Sequence, residues 1–178
     1  MTTKEKITET AFRLFLDKGY KHTSMSDLMA ATKLSKGAFY HHFSSKEHLY
    51  HAVIDRYFLS YYQQISWDKI QVSNREEIEQ AIKAFYLVFV PEILALSQKG
   101  MSRYFILFFE AYDAYPKFRK GVRNFYSELK DFITSILKDN KVQDADNEAI
   151  RLISKYEGLM FWLALFPEGD VSSLIADF

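Results

Sequence analysis

Apolar residues recur along this chain every three or four positions, and no clear run alternates with period two. Such spacing puts them on one face of a helix, so the pattern predicts an all-α protein. Ile7, Ala11, Leu14 and Phe15 make the first stripe, in a helix expected over 3–18. Thr2 and Glu5 form a T-x-x-E capping box ahead of it, and Gly19 stops it. A short helix is expected over 25–32, opened by Ser24 with Asp27. Lys33 and Leu34 supply the turn, and Ser35 caps a third short helix that runs to His42. Ser44 with Glu47 reads as another S-x-x-E box, opening a long helix to Ile65. At 1.5 Å per residue that helix reaches roughly 30 Å.

Two short helices joined by a tight turn and braced by a longer helix on each side make a helix-turn-helix head. Larger helices follow over 75–98, 101–114, 117–138 and 147–166, with a short tail after Asp170. Pro91 should kink or break the first of these. Gly100, Pro116 and Pro167 mark breaks, and 139–146 is a polar loop. The expected boundaries are 1–45 for the head and 46–178 for a helical body, joined without a flexible hinge.

Charge sharpens the division. The 178 residues carry 23 Lys/Arg and 23 Asp/Glu, yet residues 1–50 hold 8 against 5 and leave the rest acidic. All five histidines, His22, His41, His42, His48 and His51, lie in the first 51 residues. A basic head on an acidic body points to a polyanion at one end. The absence of cysteine excludes disulfides, thiolate metal sites and a cysteine nucleophile. No apolar run reaches the ~18 residues of a membrane span, and the N-terminus has no apolar signal-type segment. The expected setting is the cytoplasm, with no membrane partner.

The third helix carries the most specific chemistry. Phe39 and Phe43, four apart, should pack inward with Leu34, while Gly37 and His41 project opposite them. Ser35 leaves backbone N–H groups able to cradle a phosphate, and Gly37 lets the backbone come close to a base or phosphate. Lys36 can donate to guanine, and Tyr40, His41, His42 and Lys46 to phosphates. Thr23 and Ser24, at the start of the preceding helix, would hold a phosphate on the other side. A solvated polar face is the alternative for any one of these residues. Neither an H-E-x-x-H metal motif nor a nucleophile–base pair is present, so no metal, no cofactor and no enzymatic activity are expected.

The stretch AFRLFLDKGYKHTSMSDLMAATKLSKGAFYHHFSSKEHLYHAVI, Ala11 to Ile54, resembles the DNA-binding head of the TetR (tetracycline-repressor-like) family of bacterial transcriptional regulators. The A-x-x-L-F-x-x-K-G-Y start, the T-S cap and K-G-A-F-Y-H-H-F-x-S-K-E-x-L carry the likeness. The resemblance implies a homodimer that binds a short palindromic double-stranded DNA operator. It implies release when a small lipophilic or aromatic effector enters the C-terminal domain. Family phosphate contacts map onto Thr23, Ser24, Tyr40, His41, His42 and Lys46, and base-proximal positions onto Ser26, Lys36, Gly37 and Ala38. Some members carry Arg where Ser26 stands, which leaves more of the specificity here to Lys36. The alternatives are a regulator without an inducer and a helical small-molecule-processing enzyme.

Two expectations concern the body. EGLMFWLALF, Glu157 to Phe166, is apolar on every side from Gly158 onward, so one face must meet the core and another a partner. Ala149, Ile153, Tyr156, Met160 and Leu163 form a stripe expected to be the dimer face, with a simple core helix as the alternative. The resemblance implies that dimers use the last two long helices as a four-helix bundle. Tyr86, Phe89, Tyr104, Phe108, Glu110, Tyr112, Tyr126 and Trp162 are the candidates to line an effector cavity, with packed core as the alternative. Glu110 is exposed, paired with Arg103 or Arg123, or set to meet a cationic or hydroxylated ligand; the sequence leaves these open.

Overall fold

The computed structural model describes residues 1–96, 100–168 and 173–175, and the elements among them are helical. Helix α1 spans Thr3–Lys18, α2 Met25–Thr32 and α3 Lys36–His42. Helix α4, Lys46–Ile54, passes through a π-helical turn, Asp55–Leu59, into α5, Ser60–Gln64. After a 3₁₀ turn come α6, Arg75–Leu96, α7, Gly100–Ala114, α8, Pro116–Asp139, and α9, Ala145–Leu165. No single helix among the described residues is long and apolar enough to cross a membrane. The helix end expected at Gln98 and most of the tail expected after Asp170 lie outside the described residues.

The caps set the head. Thr2 and Ser24 each complete a reciprocal capping box, with Glu5 and Asp27 respectively. Gly19 ends α1 at φ 86°, a conformation that suits glycine. Lys33 ends α2 in the left-handed region at φ 57°, giving the tight turn into α3. One cap differs from expectation. Ser45, not Ser44, caps α4 by accepting from the His48 N–H at 3.0 Å, while the Ser44 hydroxyl meets the His48 ring. Ser45 is the extended residue, and extended backbone is what an N-cap requires.

Helix α6 runs through Pro91 unbroken. Pro91 removes one helical N–H, but it lies within the last two turns, beside the exposed Leu87 and Val88. The carbonyl left over there is on a wet surface.

One apolar cluster runs from Ile7, Phe12 and Phe15 of α1 through Phe39, Leu49 and Phe58 to Tyr104, Phe118 and Leu163. Head and body therefore share a core, and α4 packs against α1 on the head side of it. A second cluster, around Ile78, Ile133, Leu137 and Leu152, closes the far end of the body. The π turn is where the rod meets α8. Gly121 permits this approach, since a methyl there would overlap the Leu59 side chain. Around it His51 stacks on Tyr115 at 3.9 Å, and Lys117 pairs with Asp55 at 2.6 Å.

Candidate nucleic-acid interface and body cavity

Phe39 and Phe43 are fully buried and fix the orientation of α3, each contributing about 1.5–3 kcal/mol by burial. Ser24, Ser26, Ser35, Lys36, Gly37, Ala38, Tyr40 and His41 lie exposed, and His42 is half-buried. The space around Gly37 is open, with nothing within 4 Å of where a Cβ would sit. Ser35 accepts from the Ala38 N–H at 3.2 Å, so its hydroxyl already serves as the cap. Ser24 is likewise committed: its hydroxyl donates to Asp27 at 2.6 Å. Lys18 pairs with the same carboxylate at 3.2 Å. The Ser24 hydrogen bonds, then Lys18, hold the Asp27 carboxyl down at about 2.

Two of the expected phosphate contacts are turned inward. Thr23 is fully buried, and its hydroxyl donates to the Gly19 carbonyl at 2.8 Å. Lys46 donates to the carbonyls of Tyr20 and Thr23, both at 3.0 Å, with its ammonium 4.4 Å over the Tyr20 ring. Together they bind carbonyls of the 19–24 loop, of which that of Tyr20 also accepts from the Thr23 N–H at 3.3 Å. Thr23 is thereby corrected from a contact to a structural residue. Lys46 becomes first a strut between α4 and that loop.

The body encloses a cavity of about 660 Å³ between the two apolar clusters, bounded by α5 to α9. Tyr86, Phe89, Tyr104, Phe108, Tyr112 and Tyr126 stand in its wall. Tyr61 and Tyr62, at the far end of the rod begun by α4, stand there too, with Trp67 and Phe125. Phe85 and Phe109 join the wall yet stay 40% and 61% exposed, so the cavity reaches the surface beside them. Among the described residues the lining holds one charged side chain, Glu157. Its Oε1 accepts hydrogen bonds from Tyr86 at 2.8 Å and Tyr126 at 2.5 Å. Burial, and then the Glu157 charge, pushes both phenols far above their ordinary range, so both remain protonated donors.

Two expected cavity residues lie elsewhere. Trp162 is 52% exposed and stacks on Phe166 at 4.4 Å, because it sits on the outer side of α9. Glu110 sits on α7 outside the cavity wall, with a buried oxygen that lacks a hydrogen-bond partner among the described residues. After burial, its charge helps raise the Tyr50 hydroxyl of α4. Sequence reasoning missed Glu157. The available signal was a carboxylate next to Tyr156 and one turn before Met160, at the edge of an apolar run.

Residues 7–53 match the pattern described as bacterial regulatory proteins, tetR family. The transcriptional repressor NemR of Escherichia coli (strain K12) is 30% identical over 84 residues, 47% of this chain and 41% of NemR. The chain thus spans less than half the length of that relative. A TetR transcriptional regulator from Chloroflexus aurantiacus J-10-FL superposes with TM-score 0.61 at 26% identity, covering 98% of this chain and 92% of that one. AibR, solved with isovaleryl coenzyme A and operator DNA, shares the fold at 23% identity and TM-score 0.61, covering 99% and 95%.

The head of this chain matches the TetR family.

In the body behind this TetR-like head the expected dimer stripe is turned inward. Ala149, Tyr156, Met160 and Leu163 are buried at 3% exposure or less, and Ile153 is half-buried. Ile153, Tyr156 and Met160 belong to the cavity wall. The exposed stripe of α9 is Ile150, Ser154, Gly158, Phe161 and Leu165, with Trp162 beside it. A helix apolar on all sides gives no periodicity to say which face meets the core. Tyr156 and Met160 are on the side that fills the interior, and Gly158, with nothing within 4 Å of a Cβ, lies outside with Phe161 and Leu165.

Proposed function

We propose that this protein is a cytoplasmic, dimeric, DNA-binding repressor of the TetR family, released from a palindromic operator when a small lipophilic molecule fills the body cavity. One observation carries the reading: Tyr61 and Tyr62 of the cavity wall end the same helical rod whose first residue, Lys46, braces the head. A ligand that moves the cavity end of the rod moves the recognition helix with it. NemR is a repressor by name, and AibR was solved with both a small molecule and operator DNA; both support the class. The proposed units are a head over 1–45 and a ligand-binding, dimerising body over 46–178.

In the proposed complex α3 enters the major groove. Lys36 reads guanine, the open Gly37 and Ala38 let the backbone close on the bases, and Ser26 lies beside them. Tyr40, His41 and His42 bind phosphates, Ser35 donates to the DNA backbone with the proton its capping role leaves free, and Ser24, whose proton goes to Asp27, lies beside that backbone. The two heads must be about 34 Å apart to meet successive major grooves. The proposed dimer forms through the outer stripe of α9.

Footprinting of the purified protein on the DNA upstream of its own gene and its neighbours tests this. A protected palindrome is expected. Tyr40→Phe should weaken all operators alike, while Lys36→Ala should cost about 1–3 kcal/mol and relax preference at one base pair. No protected site in those regions would remove the repressor reading.

A further inference from the structure

We infer that the cavity takes a lipophilic organic cation, whose positively charged nitrogen pairs with Glu157. This rests on the reading of the cavity as the effector site and narrows its chemistry. Among the described residues Glu157 is the one charged side chain in a wall otherwise built from aromatic and aliphatic groups. Lysine, arginine and histidine are missing from that wall among the described residues, and Glu157 forms no ion pair there. Both its hydrogen bonds fall on a single oxygen, Oε1, and both come from neutral phenols. Glu157 is half-buried, and a carboxylate partly withdrawn from water without a countercharge is costly. A cationic ligand supplies the countercharge that the protein withholds.

The rest of the wall fits the same ligand. Tyr62, Trp67, Phe89 and Tyr104 offer aromatic rings, which attract cations through the negative potential of their faces. Burying a lipophilic body against them supplies the bulk of the affinity. An anionic ligand, such as a fatty acid or an acyl thioester of a phosphorylated carrier, would find nothing to neutralise its head group. It would also meet the Glu157 charge. A neutral ligand would bury that carboxylate still deeper without compensating it. Charge complementarity thus selects against both.

The test needs no DNA. Tetraphenylphosphonium and tetraphenylborate have the same shape and opposite charge, and each is titrated calorimetrically into the full chain. Of the chain's 2 tryptophans, Trp67 lies in the wall and Trp162 outside it, so a Trp162→Phe background reports the site by fluorescence. The cation is expected to bind once per chain and quench Trp67, and the anion to bind at least tenfold more weakly. Glu157→Gln, checked for an unchanged melting curve, should weaken the cation at least tenfold and erase the preference. Equal or tighter binding of the anion, no binding of either probe, or full cation affinity in folded Glu157→Gln overturns the inference. If the variant does not fold, the two probes on the unmutated chain still decide. A protein that footprints its operator yet ignores ligand charge keeps the repressor reading and loses this one. The converse outcome keeps the cation site and loses the repressor.

Discussion

At the residue scale, the head is held by polar groups that satisfy one another. Asp27 takes both the N–H and the hydroxyl of Ser24 and pairs with Lys18. Its carboxyl is lowered from 3.8 to about 2. A carboxyl lowered by folding contributes stability that is fully present above its unfolded value and is lost as pH falls through the folded one. The window for Asp27 is therefore about pH 4 down to about pH 2. An NMR titration should find its midpoint near 2, and Asp27→Asn should flatten the fall of melting temperature across that window. A midpoint near 3.8 would show that the cap is not formed in solution. Much of this was legible beforehand, because a capping box is local: both its residues lie within one turn. Thr23 and Lys46 were not legible, because their partners are the carbonyls of a loop. In Lys46 the partners lie 26 and 23 positions away in sequence. A loss of DNA binding in a Lys46 variant would report a loosened head as readily as a lost phosphate contact.

At the element scale, α9 has apolar residues on two opposite sides. Its inner side fills the core and presents Glu157 to the cavity, and its outer side exposes Ile150, Phe161 and Leu165. Exposed apolar side chains gathered on one helix face suit the proposed dimer contact. Phe161→Glu should shift the protein from dimer to monomer in sedimentation velocity while the helical circular dichroism is kept. Met160→Ala, on the buried side, should instead cost about 2–5 kcal/mol of stability. A Phe161→Glu protein that remains dimeric at micromolar concentration would place the interface elsewhere. The stripe of α9 that the sequence reading took as the dimer face is instead mostly buried. Periodicity is a contrast between apolar and polar positions, and from Gly158 to Phe166 there is almost no contrast to read. The same limit explains the two glutamates. Glu110 and Glu157 look alike beside aromatic runs, and only packing decides which one enters the cavity.

At the scale of the whole molecule, the rod formed by α4, the π turn and α5 links every part. Its start is tied to the 19–24 loop by Lys46, and its end lines the cavity with Tyr61 and Tyr62. Its middle is gripped by α8 through Gly121, Lys117 and the Tyr115–His51 stack. Helix α8 also contributes Tyr126, which holds Glu157. A ligand that draws Glu157 away from its tyrosines thus perturbs α8 and α9 together, and through α8 the rod. The all-α fold and the head were legible because caps, glycines and spacing are written locally. The cavity was legible only as a set of aromatics, since six expected residues do line it while the rod's own tyrosines were not foreseen. Coupling of this kind is reciprocal: whatever factor the ligand takes from operator affinity, the operator takes from ligand affinity.

The most direct test is the operator affinity of the full chain, measured by fluorescence anisotropy on the footprinted sequence, with and without tetraphenylphosphonium at a concentration shown by calorimetry to saturate the cavity. The expected result is a rise in Kd of at least tenfold when the cavity is filled. An unchanged Kd at full occupancy would contradict the account.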